Sequence, residues 1–350
     1  MSILYLPALA RGDEFIASYC KHYLINPLVG CPNMVNYNPD SQTVIIGDSG
    51  GYQIYKAKKK DKLFLVLPGH GISNQYSDRI VIDPEHLCKS YRIHNANYGM
   101  TLDFPCLSKS SYEFMISLKN SVQYSELMFD LKDIYCPDTQ FIIPLQFSSS
   151  NQFILTFKEH SRFKPSGYAF PVRHLYWTQV AYVLSFLHSE GVNRIHFLGS
   201  STPGLILLAA ASHGLSMFDY ITFDSTNWAP SRYDKEPQYL SRNTLRRKPY
   251  DPSKTKLLSP YSSSNANENS YYSTNLDTKL KLHNITAIAM YTRSAELLGS
   301  DLRQLKRFIR RKKHLKEDRP DLLTSLVILK RSIKYGHSFI DKHFKWVWYY

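Results

Sequence analysis

The chain has 350 residues, enough for one α/β barrel or two ordinary domains, and 43% of them are hydrophobic, which suits a folded protein with a full core. No apolar run reaches the roughly 20 residues of a membrane span, and the first seven residues lack the basic region and small-residue cleavage site of a secretory signal. The formal charge of +14 is one-sided: residues 1–234 hold 19 basic and 19 acidic side chains, whereas residues 235–350 hold 24 and 10.

In chain order, TVIIG (43–47) reads as a buried strand ending at Asp48, and MTL (100–102) leads to Asp103. FIIPL (141–145) leads to Gln146, RIHFL (194–198) to Gly199, and YITF (220–223) to Asp224. Helices are expected over about 110–129, 151–160, 174–190 and 203–213, the last opened by Pro203 after Thr202. Strand and helix alternating through short links predict a parallel sheet. Because polar residues close so many different strands, a (β/α)8 barrel of the TIM type is favoured over a doubly wound sheet. Residues 54–80, with KAKKK (56–60) and PGHG (68–71), look like an insertion. The expected organisation is most of the barrel in 1–234, a polar irregular insertion in 235–282, and a closing helix with a basic helical extension in 283–350.

Five cysteines stand at 20, 31, 88, 106 and 136, with no C-x-x-C pair and none beyond 136. Reduced thiols, and so a cytoplasmic setting, follow, and a cysteine-rich zinc site is not expected. The basic final third predicts a nucleic-acid-binding face, with a solubilising tail as the alternative. Arg232, Arg246, Arg247 and Lys248 are candidates there. So are Arg303, Lys306, Arg307, Arg310 and Arg311, on a helix whose other face carries Leu302, Leu305, Phe308 and Ile309.

The chemistry-bearing residues cluster at the strand ends. Asp48 is followed by Ser49, Gly50 and Gly51, which would let the backbone approach a planar ligand, although D-S-G-G also suits a plain turn. A carboxylate such as Asp103 can accept both the N1–H and the 2-amino group of guanine, or can simply cap the turn before Pro105. Gln146 offers a donor and an acceptor to a base edge, or is a surface glutamine. Two aspartates flank the YITF strand: Asp219 at its start and Asp224 at its end. Only the C-terminal end of a barrel strand opens on the catalytic face, which selects Asp224.

Over residues 43–235 these motifs resemble the tRNA-guanine transglycosylase superfamily, and more narrowly its branch that exchanges guanine in DNA for a 7-deazaguanine. GDSGGYQ (47–53) is similar to that family's D-S-G-G-F-Q, LDFP (102–105) to its L-D-x-P, and HFLGSSTP (196–203) to its H-x-L-G-x-G-x-P. LQ (145–146) stands where the family has V-Q-G-G, without the glycines, and GYAFPV (167–172) resembles a glycine-rich loop that packs on the base. HN (283–284) opens a helix similar to a late family helix. GLSMFD (214–219) matches one branch and would make Asp219 the nucleophile, whereas FDST (223–226), with Arg232 and Tyr233, matches another and selects Asp224.

The resemblance implies Asp224 as nucleophile, with Asp219 the alternative, and Asp48 as the proton-transfer group. It implies a base pocket of Asp103, Gln146, Ser49, Gly50, Gly51, Tyr52, Gly167, Tyr168, Ala169, Phe170, Leu198 and Gly199, with Tyr52 or Phe170 stacking. No cofactor and no metal are implied. The family's tRNA enzymes carry a zinc subdomain whose cysteines are absent here, which shifts the expected polymer from tRNA to DNA. The implied co-substrate is a free 7-deazaguanine base, in a bacterial or virus-infected cell, with accessory modification proteins as further partners. A zinc-free tRNA enzyme and a non-catalytic nucleic-acid-binding subunit are the competing expectations.

Overall fold

The computed structural model describes residues 2–9, 14–17, 20, 22–26, 43–51, 63–65, 80–106, 110–225, 229, 237–258 and 276–349. Eight parallel strands close a barrel: β1 (Ser2–Leu9), β2 (His22–Ile25), β3 (Val44–Gly47), β4 (Tyr98–Met100), β5 (Gln140–Pro144), β6 (Gly167–Pro171), β7 (Arg194–Leu198) and β8 (Tyr220–Ser225). Their order around the ring is β1-β8-β7-β6-β5-β4-β3-β2. Helices α1 (Glu14–Ala17), α2 (Pro84–Ile93), α3 (Ser111–Tyr135), α4 (Ser150–Ser161), α5 (Trp177–Ser189) and α6 (Pro203–Gly214) alternate with strands, and α7 (Leu276–Gly299) follows later in the chain. Beyond them lie α8 (Leu302–Arg311), α9 (Arg319–Tyr335) and α10 (His337–Phe344). The expected (β/α)8 barrel with C-terminal helices is therefore the fold.

The strands form because their apolar runs are covered on both faces, as parallel strands require. Phe141, Ile142 and Ile143 of β5 and Ile221 and Phe223 of β8 are all buried. Three barrel strands lie outside the expected set: SILYLPAL, HYLI and GYAFP. The last corrects the loop over the base expected at residues 167–172. All of β6 up to Phe170 is buried, and it pairs with β5 from Ile142↔Gly167 to Pro144↔Ala169. Strand β4 also ends sooner than expected, at Met100, so that Thr101–Asp103 runs on past the sheet.

Contacts divide the chain into two compact units, Met1–Pro7 with Ser18–Cys20 and Pro171–Tyr350, and Ala8–Ala17 with Lys21–Phe170. In the second unit, α3 carries the serines that hold the segment after β4. Ser117, Ser121 and Ser125 recur every four residues, so they share one helix face. Ser121 Oγ accepts from Phe104 N at 3.0 Å, Ser125 Oγ donates to Thr101 Oγ1 at 2.9 Å, and Ser117 Oγ donates to the Phe104 carbonyl. Buried backbone that leaves a sheet needs such partners, and here a polar stripe on a helix supplies them. The paired strands Leu63–Leu65 and Ile80–Ile82 fall in or beside the expected 54–80 insertion, most of which lies outside the described residues.

In the first unit, α6 is apolar all round and buried from Gly204 to Ser212, packed against α7 and α9. Gly214 and Gly299 meet so closely that a Cβ on Gly214 would lie 1.9 Å from the Gly299 carbonyl oxygen. Helix α9 packs along α5, and Asp321 of α9 caps α5 from outside. Its Oδ2 accepts from Trp177 N at 2.6 Å and its Oδ1 from Thr178 N at 3.2 Å. The stretch after β8 holds an antiparallel ribbon, Gln238–Leu240 with Arg247–Pro249. Among the described residues no helix is long and apolar enough to cross a membrane.

Candidate active site

In the second unit, three strand ends bring Ser49, Asp103 and Gln146 together. Asp103 is only 3% exposed. Its Oδ1 accepts from Ser49 Oγ at 2.6 Å and its Oδ2 from Gln146 Nε2 at 2.5 Å. An ionised carboxylate has about four acceptor positions, so this pairing fixes its plane and leaves capacity for a ligand's donors. Burial pushes its pKa up to about 6, against the lowering effect of the two hydrogen bonds. Gly51 presses its backbone on the same carboxylate: a Cβ there would lie 2.3 Å from Asp103 Oδ1. Gly50 beside it has φ +78°, which suits glycine.

Asp48 is half-buried at the end of β3. Its backbone N donates to the Ile25 carbonyl at 2.7 Å, and Asn26 Nδ2 donates to its Oδ2 at 2.6 Å. Beneath it, the Tyr91 ring fills the space left by Gly47 and Gly99, and its hydroxyl donates to the Met100 carbonyl at 2.8 Å. The glycines of β3 and β4 are thus there to admit a tyrosine from α2.

In the first unit, Asp224 is 8% exposed at the C-terminal end of β8. His196 Nε2 lies 3.0 Å from its Oδ1, and Gly199 N donates to the same oxygen at 2.8 Å. Both bonds fall on Oδ1, so Oδ2 has no protein donor among the described residues. His196 is fully buried on β7, and its Nδ1 lies 2.8 Å from Thr222 Oγ1. Thr222 and Asp224 are two apart on one strand, so they share a face, and β7–β8 pairing sets Thr222 opposite His196. Donation from His196 to the carboxylate requires the Nε2–H tautomer, which leaves Nδ1 as an acceptor facing Thr222 Oγ1. Gly199 has φ +69°, and Arg173 Nε donates to its carbonyl at 2.8 Å, next to the peptide whose N–H faces Asp224.

The remaining expected residues are placed elsewhere or not described. Asp219 is exposed before the start of β8, with its N donating to the Asn193 carbonyl at 2.9 Å. Tyr168 packs its ring on Phe157 of α4, and Phe170 packs on Phe147, so β6 uses both in its core. That leaves Gly167 and Ala169 on the opposite face of the strand. Leu198 is half-buried at the end of β7. Tyr52, Arg232 and Tyr233 lie outside the described residues. Two partners escape the sequence reading: Asn26, because it closes a short strand with no motif, and His196 as the support of Asp224. The HFLG spacing offers a signal for His196, but only the strand register shows which residue it faces.

Among the described residues no group of three or more His, Cys, Asp or Glu side chains is arranged to hold a metal ion. The two clusters are acid–base and hydrogen-bonding constellations, able to accept from a polar heterocycle and to present an oriented carboxylate. No protein-family model matches the chain, and no curated protein matches it.

Proposed function

We propose that the protein exchanges guanine in DNA for a 7-deazaguanine base, of the 7-cyano-7-deazaguanine class, through a covalent aspartyl-glycosyl intermediate. The observation that carries this reading is the state of Asp224, with one oxygen held by His196 and Gly199 and the other without a protein donor among the described residues. A carboxylate so fixed is suited to attack, as in retaining glycosyl transfer.

In the proposed reaction Asp224 Oδ2 bonds to C1′ of the sugar as the C1′–N9 bond breaks. Asp48 gives a proton to the departing guanine and takes one from the incoming base. Nitrogen N9 of that base then bonds to C1′, the ester bond breaks, and the Asp224 carboxylate is restored. Asp103 accepts from the N1–H and 2-amino group of the base, and Gln146 and Ser49 keep it turned for that task. The target nucleotide must leave its stack first, at a cost of a few kcal/mol.

The test is incubation of duplex DNA with a labelled 7-deazaguanine base, followed by mapping of any trapped adduct. Label in DNA and an adduct on Asp224 are expected. Label in tRNA alone would favour a zinc-free tRNA enzyme. DNA binding that survives Asp224→Ala, with no label and no adduct in the unaltered protein, would favour a non-catalytic subunit.

A further inference from the structure

Helix α8 carries a stripe of cations that form no ion pair among the described residues. Arg303, Arg307 and Arg311 recur every four residues along one face, flanked by Lys306 and Arg310. None of the five takes part in an ion pair among the described residues. The nearby Asp301 is committed to capping: its Oδ1 accepts from Arg303 N at 2.7 Å and Gln304 N at 3.3 Å. Like charges four apart weaken a helix. This one is held instead by burying Leu305 and Ile309. Beside it lies a cleft of about 720 Å³ walled by Leu298, Arg303, Arg307, Phe308, Arg311 and Lys312.

The direction of α8 follows from its ends. Helix α6 leaves the C-terminal end of β7, so its own last residue, Gly214, lies at the opposite end of the strands. Gly214 touches Gly299, which places the start of α8 at that far end. Helix α5 begins just after β6, and its first residues are capped by Asp321, so the start of α9 lies at the C-terminal strand end. Helix α8 therefore climbs from the base of the strands toward the end that carries Asp224. At its upper end the charge continues. Arg319 Nη2 donates to the Lys312 carbonyl at 3.1 Å, and Arg246 Nη2, from the connection between the two ribbon strands, to the His314 carbonyl at 3.2 Å. Arg247 Nη2 donates to the carbonyl of Ala229, five residues beyond Asp224, at 3.0 Å.

We propose that this ascending track, from Arg303 through Arg307 and Arg311 to Arg246, binds the phosphate backbone of duplex DNA flanking the target nucleotide, without regard to sequence. It rests on the DNA reading above and names the surface that would hold that DNA. A ten-residue helix is about 15 Å long, a length over which duplex DNA presents about nine charges. Guanidinium groups suit such a contact because their planar donors pair with phosphate oxygens. The cleft between α8 and the end of α7 gives the backbone a groove to lie in, and the apolar stripe keeps the helix in place while its cations are occupied.

Fluorescence anisotropy with a labelled duplex, run as a salt series, tests the track. Arg303→Ala/Arg307→Ala should bind about tenfold or more weakly at physiological salt, and its log–log salt slope should fall by about 2. Lys119→Ala/Lys158→Ala removes the same charge from exposed positions on α3 and α4 and should change neither quantity. Thermal melting of each variant verifies that folded protein is compared. An unchanged slope in the arginine pair, an equal loss in the lysine pair, or binding of tRNA with none of duplex DNA overturns the proposal. Base exchange is measured in parallel. Exchange absent from all forms with the slope still reduced sinks the transglycosylase reading and keeps the track. Exchange present with the slope unchanged does the reverse.

Discussion

His196 Nε2 lies 3.0 Å from Asp224 Oδ1, and both side chains are buried on adjacent strands. The contact fixes which oxygen of the carboxylate is held and so which one is left for the proposed attack. Loss of that orientation should cost more than loss of bulk. We expect His196→Ala to lower base exchange by about 100-fold, the scale of a 1 Å misplacement, while the protein stays folded. Single-turnover kinetics with saturating DNA would show it. A rate within a few-fold of the unaltered protein would mean that Asp224 is oriented without His196.

Asp103 titrates near 6 in the folded chain because burial disfavours its charged form. Its unfolded value is about 4. Between those values the folded state keeps a proton that the unfolded state has released, so stability falls as pH rises through that window. Above it the full penalty is present, at most about 3 kcal/mol for a shift of this size. Asp103→Asn should therefore melt higher at neutral pH and unchanged below about pH 4, where the carboxyl is neutral in both states. The same variant should lose base binding at every pH. In the unaltered protein base affinity should drop as pH falls through about 6, and calorimetric titration of the free base across that range would check both claims.

Two glycines make a contrast. A Cβ on Gly51 would lie 2.3 Å from Asp103 Oδ1, so Gly51→Ala must push the carboxylate away. It should destabilise by about 1–3 kcal/mol and abolish base binding. A Cβ on Gly199 meets nothing nearer than Arg173 Nε at 3.8 Å, but its φ is +69°. Gly199→Ala should cost about 1–2 kcal/mol of strain and reduce the exchange rate by turning the N–H that holds Asp224, with base affinity unchanged. Melting curves paired with base titration separate the two cases.

Asp321→Ala should uncap α5. Trp177 N and Thr178 N lose a charged acceptor, and a buried donor left unmet adds to the loss of a cap. A destabilisation of about 1–2 kcal/mol is expected. Hydrogen exchange should accelerate in the first turn of α5 before it does in α6. Equal protection of the two helices in the variant would show that the cap does not matter.

The barrel is legible in the sequence where strands are continuous apolar runs with a polar stop, as in VIIG, FIIP, RIHFL and YITF. It is not legible in GYAFP, where glycine and proline suggest a loop and where pairing with β5 decides for a strand. The chemical residues are legible by type and position, since Asp48, Gln146 and Asp224 stand at strand ends and Asp103 just beyond one. Their partners are not. That Ser49 and Gln146 both turn on Asp103, or that Thr222 backs His196, depends on which strands are neighbours and in what register. The serines of α3 have the right spacing to be a face, but a serine stripe alone does not say which backbone it will satisfy.

The pairing of β1 with β8 also bears on how the chain is made. Leu6 sits opposite Asp224, and Ser2 opposite Tyr220, so the first strand of the barrel to be made is hydrogen-bonded by its last. Contacts of such long sequence separation form slowly, because the loop must close before they return any energy. Until β8 arrives, the strand SILYLPAL has no neighbour on that side, and it is then that a nascent chain would most need a chaperone's cover. The carboxylate proposed to do the chemistry thus acquires its surroundings only once all eight strands have been made, when the oldest barrel strand and the youngest finally meet.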